Sequence, residues 1–169
     1  PVEIHEEEGI YIPELIFGHL LSGSNYNDEE ERLTSGRNGL GIKLLNVFSK
    51  EFSIECFDNE RGILYKQTWK EHMKKCQKAK ILNKSGKSGY TKISWIPDFS
   101  LFDMEGYDEI HISSYKKYVY DAAMIMKIPV YWNKEKITIK KFSDYVRFYS
   151  LQKGNYIEGV IQNEGTTLE

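Results

Sequence analysis

Eight consecutive residues, Gly36-Arg37-Asn38-Gly39-Leu40-Gly41-Ile42-Lys43, concentrate the features that hold an anion. Glycines at 36, 39 and 41 leave backbone N–H groups uncovered by side chains and permit the positive φ angles of a tight loop. When such a loop runs into a helix, its free N–H groups and the helix dipole together attract negative charge. Lys43 adds a full positive charge one turn into that helix, and Arg37 adds another at the loop entrance. The chemistry this points to is phosphate binding; spacing alone also allows a plain helix start with a permissive turn. Two better-defined phosphate loops do not fit. A Walker loop needs Gly-Lys-Ser/Thr, but Ile42 precedes Lys43 and Leu44 follows it. The dinucleotide fingerprint needs a third glycine at position 44, which is leucine, and a strand immediately before the loop.

The elements that must position this loop are legible around it. Pro13 suits a first helical turn, Glu14 sits near its positive end, and Leu15, Ile16, Leu20 and Leu21 give a one-sided helix over Pro13 to Leu21. Ser22-Gly23-Ser24-Asn25 is a small polar turn, and the acidic run to Ser35 has no apolar period and reads as a surface loop. Leu40 to Phe48 is apolar apart from Lys43 and Asn46, predicting a buried helix that starts inside the glycine cluster. Downstream the period changes to two. Phe52 to Phe57 alternates, Asp58 to Gly62 is a turn, and Ile63 to Trp69 returns as a strand. Gly89 to Ile96 alternates until Pro97. A helix is expected over Glu109 to Met126 with Tyr118, Ala122 and Ile125 on its apolar stripe. A second hairpin is expected from Val130-Tyr131-Trp132 and Ile137-Thr138-Ile139 about an Asn133-Lys134 turn, then a short helix from Phe142 to Tyr149. Helices first and strands later indicate an α+β layer with helices on one sheet face.

Bulk properties bound the reading. A chain of 169 residues with 40% hydrophobic content suffices for one domain with a real core. The formal net charge of -2 argues against the whole chain being an electrostatic nucleic-acid binder. Its apolar runs are too short for a transmembrane helix, and no membrane partner is expected. Cys56 and Cys76 lack metal or disulfide-framework spacing and suit a reducing compartment. The chain opens on Pro1 and ends at Glu169 without a structural signal, so it reads as cut at both ends.

The segment Ile12-Pro13-Glu14-Leu15-Ile16-Phe17-Gly18-His19-Leu20-Leu21-Ser22-Gly23-Ser24-Asn25-Tyr26, the acidic loop, and Gly36 to Lys43 resemble the ATPase segment of eukaryotic and viral type II DNA topoisomerases. Asn46-Val47-Phe48-Ser49, Lys66-Gln67-Thr68-Trp69 and Phe142-Ser143-Asp144-Tyr145-Val146 extend the likeness over nearly the whole chain. The resemblance implies a GHKL (Bergerat) ATPase-type two-layer α+β sandwich, helices on one face of a mixed sheet, incomplete at its N-terminus. Residues 1–150 would be the C-terminal part of that domain, with lid and cradle at 22–43, and 151–169 the start of a connection to a transducer domain. It places ATP contacts on Gly23, Ser24 and Asn25, and on Gly36, Arg37, Asn38, Gly39, Leu40, Gly41, Ile42 and Lys43. The acidic stretch between them would be a lid that folds over nucleotide and excludes water.

Four positions depart from the family pattern. Gly23 stands where serine is usual and removes a hydroxyl contact, Ser35 replaces the first glycine of a doublet, Leu40 replaces tyrosine and Ile42 alanine. A cradle working through backbone N–H groups tolerates the last three. The resemblance further implies a parent enzyme that is a homodimer, binds ATP with Mg²⁺, and passes one DNA duplex through another. Its place would be the nucleus for a cellular source, or the host cell or virion for a viral one. The family's general-base glutamate, its Mg²⁺-holding asparagine and its adenine-reading aspartate would precede Pro1, and the transducer lysine would follow Glu169. No catalytic residue and no metal ligand are therefore assigned within the chain, which is expected to bind nucleotide weakly if at all and to hydrolyse none alone. The alternative is a non-catalytic, nucleotide-dependent dimerisation clamp of the same superfamily.

Other candidates have plainer readings. His5, His19, His72 and His111 lack paired ligand spacing and read as structural. Glu6-Glu7-Glu8 and Glu29-Glu30-Glu31 read as solvated faces. Lys66 to Lys92 holds nine lysines and one acid, Glu71, and either faces DNA phosphates or is a soluble surface, the reading favoured by the lack of interleaved aromatics. Trp69, Trp95 and Trp132 read as core or sheet-packing residues.

Overall fold

Alternation from Phe52 to Cys56 gives a strand one oily face, and a strand of that kind needs both a paired neighbour and a cover. The computed structural model describes residues 1–20, 22, 39–126, 128–139 and 141–148. They fall into two units, Pro1–Glu105 and Gly106–Glu169. The connection expected at 151–169 lies outside the described residues.

In the first unit, strand β1 (Ser49–Asp58) pairs antiparallel with β2 (Ile63–Lys70), with Phe52 opposite Trp69 and Cys56 opposite Tyr65. Asp58 closes the hairpin by accepting from the amides of Glu60 and Arg61 at 3.2 and 3.1 Å, and Gly62 takes φ +66°. The lysine-rich stretch, without alternation to betray it, supplies two further strands, β3 (Lys75–Cys76) and β4 (Lys80–Asn83), both on the outer edge of β2. On the other side of β1 lies β5 (Tyr90–Pro97). The sheet order is β3-β2-β1-β5, with β4 also on β2. The mixed character expected of the sheet is not seen within the described residues, whose pairings are all antiparallel.

Val2, Phe52, Ile54, Cys56, Tyr65 and Trp69 form the core on one sheet face. Helices α1 (Ile12–Gly18) and α2 (Gly41–Val47) cover it through Phe17, Ile42 and Leu45, giving the expected helices-on-one-face layering. Helix α1 begins at Ile12 and stops short of Leu21, because His19 turns to extended backbone while its amide still bonds Leu15 at 3.3 Å. At Gly18 a Cβ would lie 2.8 Å from Cζ2 of Trp69, so the helix end sits directly on the buried indole.

A left-handed turn fastens the junction between α2 and β1. Glu71, His72 and Met73 take φ values of 53°, 59° and 68°, a conformation unfavourable for residues with side chains. The amides of Glu71 and His72 donate to the carbonyls of Lys50 and Ser49 at 2.9 and 3.0 Å, and that of Asp98 donates to Phe48 at 2.9 Å. The carboxylate of Asp98 lies 2.9 Å from Nε2 of His72, so the turn and the end of β5 are held together. Bonds from the Ser100 hydroxyl above all, then from His72 and the Ser100 amide, hold the Asp98 carboxyl at about 2, below its ordinary 3.8. His72 is thus structural, as its unpaired spacing indicated.

In the second unit, α3 (Glu109–Ile125) starts at Asp108, whose carboxylate accepts from the His111 amide at 2.9 Å. Its expected apolar stripe is not its packing side: Tyr118 and Ile125 are 64% and 72% exposed. Contacts run instead through Tyr120, edge-on to Phe148, and Asp121, which accepts from the Tyr145 hydroxyl of α4 (Phe142–Val146). The hairpin has β6 (Tyr131–Trp132) and β7 (Glu135–Lys136), closer together than expected. Asn133 and Lys134 both adopt positive φ, so a two-residue turn pairs Trp132 with Glu135. In the first unit Trp69 is buried as expected, whereas Trp95 is 41% exposed.

Two outcomes follow from this packing. Gly18→Ala should push against the Trp69 ring and destabilise the first unit by about 1–3 kcal/mol; an unchanged urea midpoint, followed by tryptophan fluorescence, would show that the indole has room to yield. Because the Asp98 carboxyl is depressed in the folded state, its contribution is complete above pH 3.8 and disappears as pH falls through about 2. Asp98→Asn should therefore lower the midpoint at neutral pH, with the deficit shrinking toward pH 2. A deficit constant across that range would rule out this linkage.

Candidate functional site

The cradle is built where a glycine turn feeds a helix that no side chain caps. Gly39 takes φ +59°, a conformation that a side chain disfavours. Leu40 precedes α2 without a capping bond, and the first intrahelical bond runs from Leu44 N to Leu40 O at 2.9 Å. The amides of Gly41, Ile42 and Lys43 thus lie ahead of the helical ladder. A Cβ at Gly41 would meet nothing within 4 Å, so packing does not dictate glycine there. A side chain there would enter open space beside the helix start.

Helix α2 inverts the burial expected of it. Its two polar members, Lys43 and Asn46, are 3% and 1% exposed, while Leu44 and Phe48 are 46% and 40% exposed. The spacing of three residues sets Lys43 and Asn46 on one side of the helix. Asn46 explains part of the inversion: its Nδ2 donates at 3.1 Å to the carbonyl of Phe17, in the last turn of α1. Its Oδ1 is buried and has no donor among the described residues. Lys43 has no counter-charge among the described residues, and burial alone lowers its pKa. A buried ammonium without a partner is costly, and an anion at the helix start would relieve it.

A groove of about 580 Å³ runs along α1, lined among others by Ile12, Ile16, Phe17, Cys56, Arg61 and Thr91. Phe17 joins this groove to the cradle helix, since its carbonyl is the one that Asn46 holds. Arg61 is committed to Asp58 and Glu3 rather than free for a ligand. The groove escaped sequence reading because its lining comes from α1, β1 and β5, far apart in the chain. Asn46 was visible as a polar residue in an apolar run, which is the signal that could have marked it.

The structure brings Gly39, Leu40, Gly41, Ile42 and Lys43 together as one helix start. Gly23, Ser24, Asn25, Gly36, Arg37 and Asn38, with the acidic lid, lie outside the described residues. Among the described residues no group of three or more His, Cys, Asp or Glu side chains is placed to hold a metal ion. No helix among them is long and apolar enough to cross a membrane.

No protein-family model matches the sequence. The chain is 46% identical over 156 residues to DNA topoisomerase 2 of Candida glabrata, covering 90% of this chain and 11% of that protein. It is 42% identical over 161 residues to DNA topoisomerase 2 of Saccharomyces cerevisiae, covering 94% and 11% respectively. The crystal structure of the ATPase region of Saccharomyces cerevisiae topoisomerase II superimposes with a TM-score of 0.82 at 43% identity, over 88% of this chain and 40% of that one. The ATPase and transducer domains of DNA topoisomerase II from Balamuthia mandrillaris give 0.76 at 40% identity, over 87% and 39%. The chain thus spans about a tenth of the curated relatives' length. At this identity, carried through sequence and fold alike, the chain belongs to the type II DNA topoisomerases and corresponds to part of their ATPase region.

Proposed function

We propose that this chain carries the phosphate-binding part of an ATP site whose parent enzyme is a homodimeric, ATP-dependent type II DNA topoisomerase. The observation that carries the reading is Lys43, buried without a counter-charge among the described residues at the start of an uncapped helix. A triphosphate supplies the negative charge that this arrangement lacks. The amides of Leu40, Gly41, Ile42 and Lys43 would cradle its oxygens, with Gly36, Arg37 and Asn38 completing the loop. Gly23, Ser24 and Asn25 would make further contacts to the nucleotide. The groove beside Phe17 has an apolar side, Ile12, Ile16 and Phe17, and a polar rim that includes Asn59 and Thr91, a lining suited to the nucleoside end.

Mg²⁺ would screen the phosphate charge and would be held by residues other than those described. The chain's own part is electrostatic and geometric: it fixes the phosphates and stabilises charge that develops on them when water attacks. Binding and hydrolysis of ATP would drive dimer closure and passage of one DNA duplex through another, the acidic lid excluding water from the site as the gate closes.

Lys43→Met tests this with two readouts that move in opposite directions. Removing an uncompensated buried charge should raise the urea midpoint of the ligand-free chain. In the Saccharomyces cerevisiae ATPase region, with its aligned segment exchanged for this chain, the same substitution should lower kcat/KM for ATP by about 10²-fold. Gly41→Val, which puts a branched side chain into the open space at the helix start, should also weaken nucleotide binding there. ATP turnover indifferent to both changes would overturn the assignment.

A further inference from the structure

The face of the sheet turned away from α1 and α2 is rich in lysine, and its charges are ordered by strand register. Glu55 on β1 stands opposite Lys66 on β2 and Lys92 on β5, while Lys66 stands opposite Lys80 on β4. One row across four strands therefore reads Lys80, Lys66, Glu55, Lys92. Farther along the sheet, Lys75 on β3 faces Lys70 on β2, which faces Glu51 on β1. Between these rows lies a third, Thr68, Ser53 and Ser94, made only of hydroxyls. The members of these rows on β1 and β2 alternate with the buried Phe52, Ile54, Tyr65 and Trp69, so they point to the uncovered side, and their partners in register follow them.

Three of the lysines are already engaged: Lys66 with Glu55 at 2.7 Å, Lys70 with Glu51 at 2.9 Å, and Lys75 with Glu71 at 2.5 Å. Lys80 and Lys92 are exposed and have no acidic partner among the described residues. They are the excess positive charge of the face. Lys66 and Lys80, and likewise Lys70 and Lys75, are like charges directly opposed across neighbouring strands, which is destabilising for the chain by itself. A phosphate backbone laid over the face neutralises them, and the hydroxyl row offers neutral donors of the kind that contact phosphates.

We propose that this sheet face is a docking surface for the phosphate backbone of duplex DNA, bound without regard to sequence. The face favours a duplex over a single strand because it offers no stacking platform. Phe57 is only 4% exposed, and Tyr90, 38% exposed, has its ring packed on Phe57 at 5.8 Å and covered by the Lys84 ammonium 4.6 Å from its centre. This surface is separate from the nucleotide site, since it lies on the opposite side of the sheet from α2 and needs no ATP.

The test is anisotropy of a fluorescein-labelled 24-base-pair duplex, titrated with the full chain without nucleotide at several salt concentrations. The joint variant Lys80→Glu with Lys92→Glu should weaken binding by about tenfold or more at low salt. It should also flatten the plot of log affinity against log salt by about two, one for each lysine withdrawn from the phosphates. Lys80→Gln with Lys92→Gln, which inserts no new charge, should flatten it similarly and decides the matter if the glutamate variant does not fold. Lys136→Glu, on β7 of the other unit, should leave affinity within about twofold. Unchanged affinity in the sheet variants, an equal loss with Lys136→Glu, or tighter binding of the single strand would each overturn the proposal. Since Lys43 is untouched throughout, such a failure leaves the ATP-site reading standing.

Discussion

The amide of Asn46, reaching from the second turn of α2 to the carbonyl of Phe17, ties together the two short helices that cover the sheet. Helices of seven residues are marginal by themselves and exist because each is held against something else. Here the something else is shared. The bond satisfies a carbonyl in the last turn of α1 and at the same time fixes which side of α2 turns inward. With Asn46 inward, Lys43 one turn earlier must be inward too, and Leu44 must face out. The geometry of the cradle is thus set by a contact more than one turn away from where phosphate would sit.

The chain just beyond α2 is anchored as well. Carbonyls of Phe48, Ser49 and Lys50 are each taken by an amide, from Asp98, His72 and Glu71. Two of those amides belong to a turn held in left-handed backbone, stabilised by the contact between His72 and Asp98. A two-turn helix held in its last turn and just beyond it has little freedom to shift its start. That suits a site whose contribution is preorganised N–H groups and one positive charge, because such groups act without reorganising when charge appears.

The sheet separates two kinds of positive charge. Among the described residues, the covered side holds one buried ammonium at a helix start; on the uncovered side stand rows of lysines in register. Isolated exposed charges are individually weak and screened by salt, whereas a buried one is screened far less. The first arrangement can therefore discriminate a particular small anion, and the second can only add up over a long one.

How much of this was legible in sequence depended on the range of the interaction concerned. The hairpin from Phe52 to Trp69 could be read because its alternation and its Asp58–Gly62 turn are local, and Gly39 announced its positive φ by being glycine. The family, too, was written in contiguous residues from Ile12 to Lys43. Not legible was the inward turn of Lys43 and Asn46, because apolar content predicts the opposite side and only the Phe17 carbonyl, 29 residues away, reverses it. Nor was the alignment of lysines in the stretch from 66 to 92, whose strands acquire a common face only by pairing with β1 and β2. The sequence alone determined the chemistry available and the local elements, since both depend on near neighbours. Tertiary structure alone decided which charges were buried and which were lined up together, because burial and register are properties of distant partners.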